Sequence, residues 1–408
     1  MNDAKKMLSA DEALELLLSH ARPLGEIEKI QTTHALGRVL AQPLVSTVTV
    51  PPLDNSAMDG YALACASLNP VGETRLRVAQ RIPAGSMGHA LEQGTVARIF
   101  TGAPVPPGAD AVVMQEDCTP DGDMVVIRKI PHHGENIRRA GEDIAAGSEV
   151  LPAGVRIRPQ EMGLIASIGL ADVPVYRKLR VALFFTGDEI VMPGEPLAEG
   201  EIYNSNRYTL LGLLEGMGCS VTDYGIVPDS LEATVDVLEK AWHEADLILT
   251  SGGVSVGEED HVKAAVESLG KLDMWKVAMK PGKPVAYGTV HDTPFIGLPG
   301  NPVSAFATFC LFVRPYILRS QGVEKITPRS YSLPAAFDRS RPGSRREFVR
   351  VRLEPQADGM PGVAIYPNQG SGVLTSAVWG EGLAEIREGT AVARGDLIKF
   401  TPFSELLG

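Results

Sequence analysis

The sequence predicts a multidomain protein with a central three-layer α/β domain, a β-rich inserted domain, a helical N-terminal segment and a C-terminal β-barrel-like domain. Three observations support this fold class. The chain has 408 residues, which is more than one hydrophobic core usually serves. Strand-like apolar runs alternate with helical patterns between residues 179 and 327. The regions on both sides instead carry short apolar runs broken by Pro and Gly.

These patterns divide the chain into four parts. Residues 1–48 and 141–178 are predicted to form a mixed N-terminal domain, with residues 49–140 inserted into it as a β-rich domain. Residues 179–327 are predicted to form the α/β domain, and residues 328–408 the C-terminal β domain. We therefore expect the chain to leave the N-terminal domain and return to it.

The N-terminal part carries two helical patterns between residues 8 and 45. Ser9 is followed by Glu12 three residues later, which is the spacing of a capping box ahead of an apolar helical stripe. A further helix is predicted at residues 159–168. Apolar runs such as Ala111–Met114 indicate strands in the inserted domain.

The regular alternation after residue 179 predicts a parallel sheet covered by helices. Asp229 and Glu232 have the spacing of a capping box at the start of one helix. Asn301 followed by Pro302 suits the start of the last helix. Predicted strands lie at 181–185, 219–227, 247–250 and 295–298, predicted helices at 204–217, after 229, at 259–269 and at 302–320, and C-terminal strands at 348–353, 363–366, 383–386 and 397–400.

Composition argues against several classes of protein. Lys and Arg total 38 against 50 Asp and Glu, and the formal net charge of −12 disfavours a broad nucleic-acid-binding surface. No window approaches the roughly 18 uninterrupted apolar residues of a membrane span. The N-terminus lacks the pattern of a signal peptide, and the 4 cysteines include no CxxC pair. We expect a cytoplasmic protein without a disulfide framework.

Two predicted loops lie where a parallel sheet binds ligands. Helices that begin at the carboxyl ends of parallel strands attract anions with their free NH groups, and glycines let the backbone approach a ligand closely. The first loop contains Ser251, Gly252, Gly253, Ser255 and Asp260, and the second contains Pro299, Asn301 and Ser304. A phosphate-bearing ligand between them is the functional interpretation, and a flexible turn with a capping acid is the structural alternative.

Charged residues near these loops extend the hypothesis. Glu189 follows a predicted strand, and with Asp260 it could hold magnesium, because hard cations prefer carboxylate oxygens. Lys280 and Lys283 stand three apart on a segment stiffened by two prolines and are predicted to clamp an anion. Solvated surface groups are the alternative explanation for all of them.

Seven segments resemble motifs of the MoeA-type molybdopterin molybdenumtransferases, a family that includes the C-terminal domain of gephyrin. They are PPLDNSAMDGYA at 51–62, TGAPVPPGADAVV at 101–113, GENIRRAGEDI at 134–144, TGDEI at 186–190, SGGVSVGEED at 251–260, KPGKP at 280–284 and GLPGNPVSA at 297–305. The segments span most of the chain in one order. Each is modestly specific, and their joint occurrence identifies the family.

The resemblance implies a homodimer whose active site lies between the α/β domain of one subunit and the β-rich parts of its partner. It implies that adenylylated molybdopterin and molybdate bind, that a divalent cation, usually Mg²⁺, assists hydrolysis of the pyrophosphate link, and that molybdenum is placed on the dithiolene sulfurs. The molybdopterin adenylyltransferase and acceptor molybdoenzymes are the further implied partners. Neither nucleic acid nor a membrane is expected.

Carried over to this sequence, the resemblance and the loop positions give three sets of residues. The predicted catalytic residues are Asp59, Thr101, Asp143, Glu189 and Asp260, and the predicted metal ligands are Glu189, Asp260 and Asp229. The predicted substrate-binding residues are Arg138, Ser251, Gly252, Gly253, Ser255, Lys276, Lys280, Lys283, Pro299, Asn301, Ser304, Arg350 and Ser371. For Asp229 the capping-box position is a complete structural alternative.

Two other functions remain open at this point. One is adenylylation of molybdopterin, because the enzyme for that step resembles residues 179–320. Its glycine loop tends to carry an arginine before the loop aspartate, however, where this chain has Glu259 before Asp260. The other is a non-enzymatic carrier or scaffold, against which the intact acids and lysines argue.

Overall fold

The computed structural model describes residues 7–253, 261–357 and 359–407, and of residues 274 and 275 only the backbone. Its centre is a six-stranded sheet in the spatial order Ser220–Val227, Arg180–Thr186, Leu247–Ser251, Thr293–Leu298, Pro284–Val290 and Gly270–Lys276. The first four strands run parallel, and the last two form an antiparallel edge. The carboxyl ends of the parallel strands therefore meet at one edge of the sheet.

Helices cover both faces of this sheet. In the strand Arg180–Thr186, Val181, Leu183 and Phe185 pack into one hydrophobic core, and Ala182 and Phe184 into the other. The helix Ser205–Gly216 and the helical segment Pro302–Thr308, Phe309–Val313 (a π-helical turn) and Arg314–Ser320 lie on the first face, and Leu231–Glu244 and His261–Leu269 on the second. The predicted three-layer α/β arrangement is confirmed.

The N-terminal helix Ala10–His20 begins with the predicted capping box. The Ser9 hydroxyl accepts from the Glu12 NH at 3.2 Å, and the Glu12 carboxylate accepts from the Ser9 NH at 2.8 Å. Its buried residues, including Leu17, belong to the same core as the helical segment 302–320. The N-terminal helix is therefore part of the packing of the α/β domain.

The second helical pattern predicted before residue 45 is wrong. The strand Ile27–Gln31 pairs antiparallel with Asp172–Tyr176, and the strand Leu44–Val45 pairs with Glu149–Leu151. Only the 3₁₀ turn Thr32–His34 is helical in this stretch. Partners more than 100 residues away decide this structure, and β-branched residues such as isoleucine suit the resulting pairing. The predicted helix at 159–168 is confirmed as Pro159–Ser167.

The chain between the strands Leu44–Val45 and Glu149–Leu151 forms a separate β structure. Its six-stranded sheet has the order Ala111–Met114, Gly60–Leu63, Thr95–Ile99, Thr74–Ile82, Met124–Ile127 and Cys118–Asp121, with 3₁₀ turns at Cys65–Ser67 and Gln115–Asp117. Beside it, the short strand Asn55–Ser56 pairs with Ile137–Arg138. No helix in the described residues is long and apolar enough to cross a membrane.

The C-terminal domain is built on a sheet whose edge strand, Met279–Lys280, comes from the α/β part of the chain. Its order is Met279–Lys280, Arg346–Pro355, Gly382–Ile386, Leu397–Pro402 and Tyr331–Pro334, and Pro361–Ile365 also pairs with Arg346–Pro355. The short helices Thr375–Trp379 and Phe403–Leu406 complete it. The residues 280–283 form a turn that we call the lysine-containing turn. Because Met279–Lys280 pairs with Arg346–Glu347, this turn is fixed between two domains.

The remaining short strands, Ile190–Val191 and Ile202–Tyr203, pair parallel to each other after the first strand of the α/β domain. They close the loop that leads into the helix Ser205–Gly216. This loop stands at the edge where the parallel strands end.

Candidate active site

A cleft of about 840 Å³ opens at the carboxyl ends of the parallel strands. Its size falls in the range of about 300–1,000 Å³ that is usual for small-molecule sites. It is lined by Thr186, Gly187, Glu189, Ile202, Asp229, Gly252, Gly253, Lys280, Pro281, Gly282, Lys283, Pro284, Pro299, Gly300, Asn301, Pro302, Ser304, Arg345, Gln369, Gly370 and Ser371. The α/β domain supplies most of these residues, and the C-terminal domain supplies one wall.

Among the described residues, two acidic residues line this cleft, Glu189 and Asp229. The Ile202 NH donates to the Glu189 carbonyl at 2.7 Å, so the pairing of the two short strands fixes the backbone at Glu189. In the part of the chain that the structure describes, no Lys or Arg forms a salt bridge with either carboxylate. Both carboxylates remain available to a ligand.

The capping box predicted for Asp229 is wrong. The helix Leu231–Glu244 is capped by Ser230, whose hydroxyl accepts from the Ala233 NH at 3.3 Å. The cap lies one residue further along because the serine hydroxyl reaches the third NH of the helix. Asp229 therefore has no capping role, and its position in the cleft lining is the remaining explanation for it.

The glycine-containing loop after Leu247–Ser251 is packed tightly against the neighbouring strand end. A side chain at Gly252 would place its Cβ 2.6 Å from the Thr186 carbonyl oxygen, and the residue has a φ of 102°. The Gly252 NH donates to the Leu298 carbonyl at 3.2 Å. Glycine is thus required where three strand ends meet. Ser255 and Asp260 lie outside the described residues.

The second predicted loop opens the helical segment 302–320 as expected. Asn301 occupies the N-cap position and Pro302 the first helical position. The Asn301 side chain makes no capping hydrogen bond and lines the cleft, with Pro299 and Ser304. The Val303 NH donates to the Ser371 carbonyl at 2.8 Å, which joins this helix start to the C-terminal domain.

The lysine-containing turn lines the same cleft as these loops. Lys280 and Lys283 both line the cleft. The Val277 NH donates to the Lys283 carbonyl at 2.8 Å, which closes the turn at its base. Lys276 lies outside the cleft lining, where it is exposed and pairs in the sheet with Pro284.

Arg345 also lines the cleft, although the predicted substrate-binding residues include Arg350 and not Arg345. Its guanidinium donates to the Met279 carbonyl at 3.1 Å, and none of the described carboxylates pairs with it. Arg346, by contrast, binds Asp11 with two hydrogen bonds of 2.9 Å each. Asp11 is 335 positions away, so no local sequence signal separates Arg346, which has a carboxylate partner, from Arg345, which has none among the described residues.

Arg350 is buried behind the cleft wall, with 1% of its surface exposed. It donates to the Ser376 hydroxyl at 2.8 Å and to the Gly370 carbonyl at 3.1 Å, and its NH donates to the Gln369 side chain at 3.0 Å. Burial lowers the pKa of Arg350 to about 10. Arg350 therefore holds the loop that carries Ser371 into the cleft.

Ser251 is likewise buried and is absent from the cleft lining. Its hydroxyl donates to the Pro299 carbonyl at 3.0 Å and accepts from the Asn206 side chain at 2.9 Å. These contacts occupy the hydroxyl within the protein.

The other four predicted residues, Asp59, Thr101, Arg138 and Asp143, lie in or beside the inserted β structure and outside this cleft. The Thr101 NH and hydroxyl each donate to Asp59 at 2.8 Å, and these hydrogen bonds lower the pKa of the Asp59 carboxyl. Thr101, Arg138 and Asp143 are exposed. Their segments are adjacent, since Val50 bridges to Ile144 and the strand Ile137–Arg138 pairs with Asn55–Ser56. The β structure thus presents a second polar group of residues.

The fold and the cleft define a multidomain α/β protein whose cleft at the ends of parallel strands is lined by acidic and basic residues, none of which form salt bridges with one another among the described residues. The model for the MoeA N-terminal region (domain I and II) matches residues 8–169. A probable molybdopterin binding domain matches residues 182–319, and the MoeA C-terminal region (domain IV) matches residues 332–403.

Relatives match over nearly the whole chain. The molybdopterin molybdenumtransferase of Haemophilus influenzae is 38% identical over 98% of this chain and 100% of its own length. Molybdopterin molybdenumtransferase 2 of Mycobacterium tuberculosis is 40% identical over 83% of this chain and 87% of its own. The solved structure of the molybdopterin biosynthesis MoeA protein from Pyrococcus horikoshii matches with a TM-score of 0.82 at 30% identity, over 97% of this chain and 100% of that one. This chain belongs to the MoeA family of molybdopterin molybdenumtransferases, which confirms the resemblance seen in its motifs.

Proposed function

We propose that this protein inserts molybdate into adenylylated molybdopterin, with hydrolysis of the pyrophosphate link and release of AMP. Family membership supports the reaction. The observation that carries the proposal is that Glu189, Asp229, Lys280, Lys283 and Arg345 line one cleft at the strand ends. Opposite charges that do not pair with one another suit a ligand that carries both phosphate oxygens and a bound cation.

The cationic side chains suit the anionic part of the substrate. Hydrolysis adds water across the P–O–P link and yields AMP and the phosphate-bearing pterin, so negative charge develops on the departing phosphate oxygen. Lys280, Lys283 and Arg345 stabilise such charge when they are held in place before the reaction. Arg345 and the lysine-containing turn are fixed to each other through the Met279 carbonyl.

The acidic residues of the cleft provide the oxygen ligands that a divalent cation such as Mg²⁺ prefers. Mg²⁺ prefers oxygen ligands and is commonly held by one or two carboxylates together with substrate phosphates. Glu189 and Asp229 both line the cleft and provide such oxygens. Mg²⁺ would polarise a phosphoryl oxygen when bound. The contribution of Asp260 stays a prediction from its place in the glycine-containing loop and from the family motif, because Asp260 lies outside the described residues.

Four of the predicted site residues lie outside the cleft, and a second copy of the chain is the proposed reason for their polar character. Asp59, Thr101, Arg138 and Asp143 are polar, adjacent and outside the cleft of their own chain. We propose a homodimer in which this group from one subunit faces the cleft of the other. The cytoplasmic location and the exchange of cofactor with the molybdopterin adenylyltransferase and acceptor molybdoenzymes also stay predictions.

A turnover assay tests the reaction. Purified protein incubated with adenylylated molybdopterin, molybdate and Mg²⁺ should release AMP and yield a pterin that carries molybdenum. Glu189→Gln and Lys280→Gln should each lower AMP release, and Lys276→Gln, outside the cleft lining, is the matched lysine control. Binding of the pterin without AMP release would instead indicate a carrier. Formation of adenylylated molybdopterin from ATP and molybdopterin would indicate the adenylyltransferase.

Subunit mixing tests the shared site. Asp59→Asn and Glu189→Gln should each be inactive as pure dimers. If the site spans two subunits, equal mixing after reversible dissociation restores about a quarter of wild-type activity, because half of the dimers are mixed and each has one intact site. If each chain carries a whole site, the mixture remains inactive.

A further inference from the structure

Asn206 links the two loops of the cleft from behind. It is the second residue of the helix Ser205–Gly216, is 8% exposed and is absent from the cleft lining. Its side-chain NH₂ donates to the Ser251 hydroxyl at 2.9 Å and to the Gly300 carbonyl at 2.7 Å. The Ser251 hydroxyl in turn donates to the Pro299 carbonyl at 3.0 Å. One amide therefore connects a helix with both strand-end loops.

The partners of Asn206 fix the orientation of its amide. The Gly300 carbonyl can only accept a hydrogen bond, so the nitrogen of the amide must face it. The amide oxygen is left buried with no hydrogen-bond partner among the described residues. A buried acceptor without a partner is costly, and natural proteins retain such groups where another requirement of the site outweighs the cost.

The same two loops meet directly in front of Asn206. The Gly252 NH donates to the Leu298 carbonyl, and a Cβ on Gly300 would lie 3.9 Å from the Gly252 Cα. Gly252 and Gly300 both line the cleft. Because the Asn206 amide holds the residues next to both contacts, it sets how far apart the ligand-facing backbones of the two loops stand.

We propose that Asn206 is a positioning residue that fixes the spacing between the loops at 250–253 and 297–302. Asn206 is absent from the cleft lining, so it acts through Ser251 and Gly300. This inference rests on the proposed function for its effect on turnover, but its effect on the loops is independent of any substrate. Misplacement of reacting groups by about 1 Å can lower a rate on the order of 100-fold.

Two variants break this link from opposite ends. Asn206→Asp keeps the shape of the side chain and replaces the two donors with an acceptor that faces the Gly300 carbonyl. Ser251→Ala removes the hydrogen bond between Asn206 and Ser251 and leaves the hydrogen bond between Asn206 and the Gly300 carbonyl. Glu215→Gln is the control, because Glu215 is an exposed residue on the same helix.

Hydrogen exchange of the ligand-free protein and kcat/KM for AMP release are the two readouts. We expect Asn206→Asp to speed exchange in peptides covering 247–253 and 296–303 and to lower kcat/KM about 10- to 100-fold. Ser251→Ala should do both to a smaller degree, and the double variant should lose less than the product of the single losses. If Asn206→Asp does not fold, Ser251→Ala carries the test.

Unchanged exchange in both peptides overturns the proposal, as does wild-type kcat/KM in the folded variants. Because exchange is measured without substrate, a wild-type protein that releases no AMP would contradict the proposed function and leave the test of the loops intact.

Discussion

Gly282→Ala tests whether the lysine-containing turn must keep its shape for the cleft to work. Gly282 has a φ of 97°, and a Cβ there would lie 2.5 Å from the Thr308 hydroxyl oxygen. A residue other than glycine costs about 1–2 kcal/mol in such a conformation. The overlap adds about 1–3 kcal/mol, because the turn or the helix must move. The expected destabilisation is therefore about 2–5 kcal/mol.

The same movement should impair the site. Gly282 stands between Lys280 and Lys283, which face the cleft. A shift of about 1 Å in these cations can lower kcat/KM for AMP release on the order of 100-fold. Thermal unfolding and initial rates of AMP release measure the two effects on the same protein.

Two further variants separate backbone strain from overlap. Gly194 has a φ of 103°, and a Cβ added there would meet no atom within 4 Å, so Gly194→Ala should show the backbone cost alone. The Thr308 hydroxyl is buried and has no hydrogen-bond partner among the described residues. Thr308→Ala should therefore restore part of the stability and activity of Gly282→Ala. The reasoning is refuted if Gly282→Ala is no worse than Gly194→Ala.

Three other variants test separate parts of the structure. Burial raises the pKa of Asp246, but hydrogen bonds, led by that from Arg177, outweigh it and hold the pKa at about 2. Asp246→Asn should cost about 2 kcal/mol at neutral pH. Because the folded pKa lies below the unfolded value, the deficit should be constant above about pH 5 and shrink as the pH falls toward 2. Denaturant titrations that give equal deficits at pH 5 and pH 3 would contradict this. Ser9→Ala should lower the free energy of unfolding by about 1 kcal/mol through loss of the capping box, and an unchanged unfolding midpoint would argue against the cap. Arg345→Ala should weaken substrate binding roughly 10- to 100-fold, in proportion to one charge-assisted hydrogen bond, whereas the exposed Arg341→Ala should leave the measured Kd unchanged.

Local patterns predicted the α/β domain well. The strand Arg180–Thr186 and the helix Ser205–Gly216 fall within two residues of their predicted bounds. The strand is marked by an apolar run and the helix by a helical spacing of apolar residues, and both patterns lie within the element itself. The pairing of Ile27–Gln31 with Asp172–Tyr176 could not be seen in the same way, because it depends on a partner far along the chain.

The candidate site was predictable in its loops and less so in its side chains. Loops at strand ends converge by topology, so Glu189 and Lys280 could be placed at one edge of the sheet. The burial of Arg350 and the exposure of Arg345 to the cleft depend on how the C-terminal domain folds against that edge. The helix is capped by Ser230 and not by the predicted Asp229, and the sequence pattern could not distinguish these two neighbouring positions.

A crystal structure with adenylylated molybdopterin, prepared with the Glu189→Gln variant to slow turnover, tests the central claim most directly. We predict that the pyrophosphate lies in the cleft at the strand ends, within hydrogen-bond distance of Lys280, Lys283 or Arg345. A pyrophosphate bound elsewhere, with this cleft holding only solvent, would contradict the account.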